Sequence, residues 1–139
     1  MEKTFGKAFR LIAFTLLIFW SWESVAQDML ELRISGIEND NGKVMILVQS
    51  AKGDTVMLRV VEAEKKEITV KLSLPYGKYA ISTYHDENEN QKIDKSFLGY
   101  PVERYGFSNN AREPFGPPSL KDRIFQFSGD STIHRIKIE

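Results

Sequence analysis

The sequence predicts an all-β protein, an antiparallel two-sheet sandwich of about seven strands with one long ordered capping loop. Three observations predict it. Short β-rich runs alternate with Gly, Pro, Asn and Asp turn signals through residues 27–139. Ile68, Val70, Leu72 and Leu74 alternate with Glu67, Thr69, Lys71 and Ser73, the period-two pattern of a half-buried strand. Outside the N-terminal region no stretch carries the periodicity of an amphipathic helix.

The chain opens with Lys3, Lys7 and Arg10, then an apolar run over 11–22, then Ser24-Val25-Ala26. A basic start, an apolar centre and small residues at a cleavage point describe a secretory signal peptide over residues 1–26. The apolar run is shorter than the roughly 20 residues of a spanning helix, so cleavage before Gln27 is expected over retention as an anchor. The expected product is an exported protein, periplasmic or secreted, with no membrane span after cleavage. Residues 27–139 are expected to form a single β-sandwich domain.

Along that domain, Leu30, Leu32 and Ile34 are spaced by two and start the first strand. Glu38-Asn39-Asp40-Asn41-Gly42 turns the chain. Val44–Val48 is continuously apolar, as a central strand requires. Lys52-Gly53-Asp54 turns it again, and Val56–Val61 follows as the next strand. After the alternating strand ending at Leu74, Pro75-Tyr76-Gly77 turns into a strand over Lys78–His85, with Tyr79, Ile81, Thr83 and His85 on one face. Two strands, about Ile124–Phe127 and Ile133–Ile138, close the domain around a Ser128-Gly129-Asp130-Ser131 turn.

Residues 86–122 form a long excursion of low periodicity, and such loops in compact domains usually carry function. Phe97, Leu98, Tyr100, Tyr105, Phe107 and Phe115 are too many large apolar groups for a solvated linker. The expectation is an ordered cap over one end of the sandwich. Phe97, Leu98, Phe107 and Phe115 are assigned to its core, and Tyr100 and Tyr105 to exposed contacts.

Composition narrows the function classes. With the leader removed, 16 basic and 17 acidic side chains remain, which argues against nucleic acid as a partner and against a polybasic membrane patch. The chain has no cysteine, so neither disulfides nor a thiol nucleophile are available. His85 and His134 are the only histidines, which disfavours zinc. Ser108 and Ser119 lie outside any Gly-x-Ser-x-Gly turn, and no phosphate-cradling glycine loop occurs.

The sharpest local signal is Asp86-Glu87-Asn88-Glu89-Asn90-Gln91-Lys92-Ile93-Asp94. Asp86, Asn88, Asn90 and Asp94 occupy positions 1, 3, 5 and 9 of a calcium-type loop, with the Lys92 carbonyl at position 7. Alternating oxygen ligands let one tight turn wrap a hard cation, so a weak structural calcium ion is expected at these five residues. Position 6 is Gln91 instead of Gly, and position 12 is Phe97 instead of Glu. Calcium wants about six to eight oxygens, so further ligands would come from water, Glu103, Asn109 or Asn110. The competing reading is a polar turn that bonds itself through Asx-type hydrogen bonds.

His85 beside Asp86 suggests acid–base chemistry, yet strand alternation points them to opposite faces. The ordinary role of such a histidine is a core-edge ring bonded to a backbone group. His134, near a strand end, is expected to be solvated. Arg104 and Arg112 are expected to pair with acidic neighbours such as Glu103 or Glu113.

Several uncommon words also occur in a recognisable order. They are Leu74-Pro75-Tyr76-Gly77-Lys78-Tyr79, His85–Asn90 with Lys92-Ile93-Asp94, Phe97-Leu98-Gly99 with Pro101, Tyr105–Ala111, and Phe115-Gly116-Pro117-Pro118-Ser119. Together they resemble the bacterial domain-of-unknown-function family 2141, over essentially all of residues 27–139. The sequence departs from the family pattern at Glu89 and Gln91, where glycine is more usual. The resemblance implies a small exported protein with an immunoglobulin-like or transthyretin-like β-sandwich. It implies no activity, substrate or partner.

The leading functional expectation is a non-enzymatic binding or scaffold protein with the calcium-type loop at 86–94. Its candidate ligand surface is His85, Tyr100, Tyr105, Asn109 and Asn110, and its partner a carbohydrate, a peptide or an envelope protein. One alternative is a small hydrolase using His85 and cap carboxylates. Another is a purely structural envelope or interaction domain whose exposed strand edge pairs with another protein.

Overall fold

The computed structural model describes residues 28–139 except Ser131. The expected leader therefore lies outside the described residues. Eight strands form: β1 (Asp28–Ile37), β2 (Lys43–Ser50), β3 (Thr55–Glu62), β4 (Lys66–Leu74), β5 (Gly77–Asp86), β6 (Tyr105–Phe107), β7 (Phe125–Phe127) and β8 (Ile133–Lys137). A single 3₁₀ turn at Ser108–Asn110 and a one-turn helix, α1 (Leu120–Arg123), are the helical pieces among the described residues. None of the described helices is long and apolar enough to cross a membrane.

The strands make two sheets, ordered β4-β1-β8 and β3-β2-β5-β6, with β7 also paired to β5. The all-β sandwich class is as the sequence predicts, with eight strands in place of about seven. The extra strand is β6, inside the excursion. Its three residues are too few to show a period, and it forms because β5 offers it an edge at Ser82–Tyr84. One pair is also parallel: β8 runs alongside β1 from Glu31↔Ile133 to Ser35↔Lys137.

The alternating patterns are what place the core between the sheets. From one sheet come Leu30, Leu32 and Ile34 of β1, the Ile68–Leu74 series of β4, and Ile136. From the other come Val44, Ile46 and Val48 of β2 with Tyr79 and Ile81 of β5. Phe127 is fully buried and meets Tyr76 edge-on at 5.1 Å. In β1 the inward series would next reach Gly36, yet the buried residue is Ile37. A bulge between Ser35 and Ile37 shifts the phase by one residue. Gly36 makes this possible, with φ of +92° and a position where a Cβ would stand 2.1 Å from the Ile138 carbonyl oxygen.

The central position of β2 between β3 and β5 agrees with its unbroken apolar run. Met45 and Leu47 point away from the main core, and Met45 is nevertheless buried. This outer face of the larger sheet is where the cap attaches.

Burial separates core from cap in stability. Leu32→Ala, at a fully buried position, should cost about 2–5 kcal/mol in denaturant unfolding, whereas Phe97→Ala, at a fully exposed one, should change stability by less than about 0.5 kcal/mol.

Candidate functional site

The cap begins where β5 ends. Asp86 lies on the outer face of β5, opposite Lys43 of β2. It is nonetheless almost fully buried, because the chain folds back over its carboxylate. One oxygen accepts the Asn90 N–H at 3.1 Å, and the other accepts the Gln91 N–H at 2.8 Å. Asn88 Oδ1 also accepts the Asn90 N–H at 3.1 Å, and Asn90 Oδ1 accepts the Lys92 N–H at 2.8 Å. These are Asx turns in series, each side-chain oxygen holding the backbone two residues on. Glu89 and Gln91 take left-handed backbone, with φ of 58° and 62°. A β-carbon costs about 1–2 kcal/mol there, which the two hydrogen bonds to Asp86 can offset.

Asp94 closes the turn. The amide groups of Asn88 and Asn90 donate to its two carboxylate oxygens at 2.5 and 2.8 Å. Behind it stands Glu103, 8 % exposed, whose two oxygens accept the Glu87 N–H at 3.2 Å and the Asp94 N–H at 2.9 Å. Glu103 thus ties the outgoing limb of the cap to the returning one. Between them residues 94–102 form a small hairpin, with Val102 N–H on the Asp94 carbonyl at 2.9 Å and Ser96 N–H on the Tyr100 carbonyl at 2.7 Å.

Asp86, Asp94 and Glu103 concentrate negative charge at this root. The nearby Tyr84 hydroxyl registers it: burial first, then the charges of Asp86, Glu103 and Asp94, push its pKa up. Lys43 is the counterweight. It pairs with Glu89 at 3.1 Å, and that contact, with smaller contributions from Glu62 and Asp86, raises its pKa.

The donor set fits a hard cation only in part. No three His, Cys, Asp or Glu side chains among the described residues converge as a metal set. A cation would therefore rely on the oxygens of Asp86, Asp94, Asn88 and Asn90 and on the Lys92 carbonyl. Of these, Asn88 and Asn90 turn their N–H groups, not their oxygens, toward Asp94.

The turn at 38–42 buttresses the root. Gly42, at φ of +68°, runs so close that a Cβ would lie 2.1 Å from the Asp86 carbonyl oxygen. Asn39 donates to Glu87 at 3.1 Å, and Arg104 pairs with Glu38. Arg104 therefore reaches across to Glu38, not to Glu103 or Glu113. Arg112 likewise pairs with Glu139 at 3.3 Å and donates to the carbonyls of Tyr105 and Lys137.

His85 is fully buried, with its Nε2 on the Asn41 carbonyl at 2.6 Å. Its Nδ1 and the Thr83 hydroxyl have no hydrogen-bond partner, and Glu87 stands 3.8 Å from Nδ1. A ring in this setting faces no pocket, so it can serve neither as the acid–base group of a hydrolase nor as part of a ligand surface.

Asn109 and Asn110 are also structural. Both adopt positive φ. Asn109 donates to the carbonyls of Asp122 and Ile124 at 3.0 and 2.9 Å, and Asn110 accepts the Lys137 N–H at 2.8 Å. These contacts commit both asparagines to pinning the return limb on β8 and α1.

The tyrosines lead elsewhere. The 95–101 hairpin and the 113–117 limb stand apart over Tyr105 and Phe107 of β6, enclosing an open groove of about 590 Å³. Lys95, Leu98, Tyr100, Glu113 and Phe115 line its walls. Of the residues assigned to a cap core, only Phe107 is buried. Phe97 is fully exposed, Leu98 is 76 % exposed and Phe115 is 90 % exposed. The reason is that main-chain and carboxylate hydrogen bonds already hold the hairpin, so it needs no apolar interior. Glycine and proline at the tips, Gly99 with Pro101 and Pro114 with Gly116, were the available sign that these side chains sit on tight turns facing out.

Sequence reasoning also missed Arg123, which donates to Ser82 at 2.8 Å and lies over the Phe107 ring at 5.4 Å, and misplaced His134. His134 stacks on Phe125 with centroids 3.9 Å apart, and its Nε2 accepts the Asn109 N–H at 3.3 Å. Desolvation by this packing lowers its pKa to about 4.

That shift has a sign. The folded value lies below the ordinary 6.5, so the unfolded chain binds the proton more readily. The contribution is complete above about pH 6.5 and is lost as pH falls through about 4. Urea midpoints measured from pH 7 to 4 should fall less in His134→Gln than in the parent. Carboxylates common to both proteins cancel in that difference.

No curated protein and no solved structure gives a match to this chain. One family model does match, over residues 32–135, and its description is an uncharacterised protein conserved in bacteria, DUF2141. With that match spanning most of the chain, the words in the cap and the sandwich beneath it have a common origin: the protein belongs to the DUF2141 family.

Proposed function

We propose that the protein is an exported, non-enzymatic binding module, acting in the periplasm or outside the cell, that holds its ligand in the aromatic groove at the capped end. The observation that carries this reading is the exposure of Leu98, Tyr100 and Phe115 around one groove on an otherwise hydrogen-bonded cap. Large apolar side chains on an ordered rim serve contact better than they serve stability. Aromatic faces accept sugar rings by stacking, or the apolar side chains of a peptide, and Lys95 with Glu113 can orient either by hydrogen bonds.

Two probes test this: a soluble chito-oligosaccharide and a proline-rich decapeptide, titrated while tyrosine fluorescence and cap NMR shifts are followed. Saturable binding of one probe, weakened about tenfold or more by Tyr100→Ala or Phe115→Ala with melting temperature unchanged, is the expected result. Shifts that ignore both substitutions would sink the groove assignment.

A weak calcium ion braced by Asp86, Asn88, Asn90, Asp94 and the Lys92 carbonyl completes the proposal. Its role is structural, holding the root against the mutual repulsion of Asp86, Asp94 and Glu103. Melting in excess EDTA and then in graded calcium should show a calcium-dependent rise that is lost in Asp86→Ala and kept in Lys92→Ala. The same ion should bring the Tyr84 pKa down, because it offsets the carboxylates that hold it up. Identical melting curves up to millimolar calcium would leave a self-bonded turn.

A further inference from the structure

Beyond the cap, the larger sheet has an unusual edge. Among the described residues β3 pairs only with β2, so its other edge is free along eight residues. Free edges are normally blunted by charge, proline or brevity. On β4, an edge strand of the other sheet, the outward side chains are Glu67, Thr69, Lys71 and Ser73. On β3 they are Val56, Leu58 and Val60, exposed by 44, 60 and 46 %. Their apolar surface continues inward, since Leu58 stands opposite Leu47 and Val60 opposite Met45 on β2.

We infer that two copies of this chain pair through β3, antiparallel about a twofold axis, with Leu58 facing Leu58. The argument is one of register and charge. Symmetric antiparallel strands place one residue against itself, and directly opposed residues share a face. Centring on Leu58 sets Val56 against Val60 and Met57 against Arg59, so the outer face is apolar from end to end. Arg59 is the only charge within 55–61. Centring on Arg59 would oppose two guanidinium groups, and centring on Val60 would oppose Leu58 to Glu62. The pattern is therefore complementary to itself in one register, which an arbitrary partner strand would not require. The product is a continuous ten-stranded sheet on one side of the dimer, with both capped ends left open.

The absence of native cysteine makes the register directly readable. Leu58→Cys, Arg59→Cys and Lys71→Cys variants of the full chain, oxidised under identical conditions, should give disulfide dimers much faster for Leu58→Cys than for the other two. Sedimentation equilibrium up to about 200 µM, suited to an interface at the small end of the usual range, should show reversible dimer in the parent. Leu58→Lys should weaken that dimer about tenfold or more, and its melting temperature should match the parent because the side chain is exposed. A parent that stays monomeric throughout overturns the inference. So does Arg59→Cys or Lys71→Cys crosslinking as fast as Leu58→Cys, which would mean another register or random collision. The crosslinking comparison decides the matter even if Leu58→Lys proves unstable.

Discussion

The cap depends on one carboxylate. Asp86 ends β5 on its outer face, where a charged side chain would ordinarily be solvated, and the chain instead turns back and buries it. An ionised group in that position is tolerable only when its oxygens are occupied, and two main-chain N–H groups occupy them. Those bonds set the left-handed backbone at Glu89 and Gln91, aim Asn88 and Asn90 at Asp94, and bring the returning chain within reach of Glu103. Arg104 and β6 follow from that return. The excursion is thus ordered from its root outward by polar contacts.

That mode of construction explains the surface above it. A loop stabilised by an apolar interior must turn its aromatic residues inward. A hairpin stabilised by main-chain bonds and a buried glutamate leaves them free, and here they line a groove. Arg112 is the corresponding clamp on the far limb. It lies 5.3 Å over the Tyr105 ring, is paired to Glu139 and is bonded to two carbonyls. The groove is therefore held between two polar fixtures, which suits a preformed binding surface.

The two sheets divide the work differently. The smaller sheet, β4-β1-β8, turns one face to the core, and the exposed face of its β4 edge is polar, as an antiparallel edge open to water usually is. The larger sheet keeps apolar groups on both faces. Its outer face runs from Val60 and Leu58 on β3, through Met45 and Leu47 on β2, to Tyr84 on β5 beside Tyr105 on β6. The cap covers one end of that face, and the other ends at a free edge. A single structural fact, an outer sheet face without the usual polar alternation, underlies both the seat of the cap and the proposed pairing of copies.

The sequence by itself determined the sandwich. Alternation in Ile68–Leu74, the apolar run of Val44–Val48 and the turn residues between them specify strands, faces and order, because a period of two leaves one face to bury. It also showed that 86–94 is a turn built on side-chain oxygens, since Asp and Asn at alternating positions bond their own backbone. What only tertiary structure decided was the partner of each group that lacked a local one. Whether Phe97 and Phe115 were core or rim depended on what else held the cap. Glu103 and Asp86 meet the same turn only after the chain has returned. His85 found the Asn41 carbonyl, and His134 found Phe125, across distances in sequence that no pattern encodes. β6 was too short to have a period, and the bulge at Gly36 required the neighbouring Ile138 to show why glycine stands there. Local periodicity is a property of a segment. Burial, pairing and exposure belong to the assembled chain.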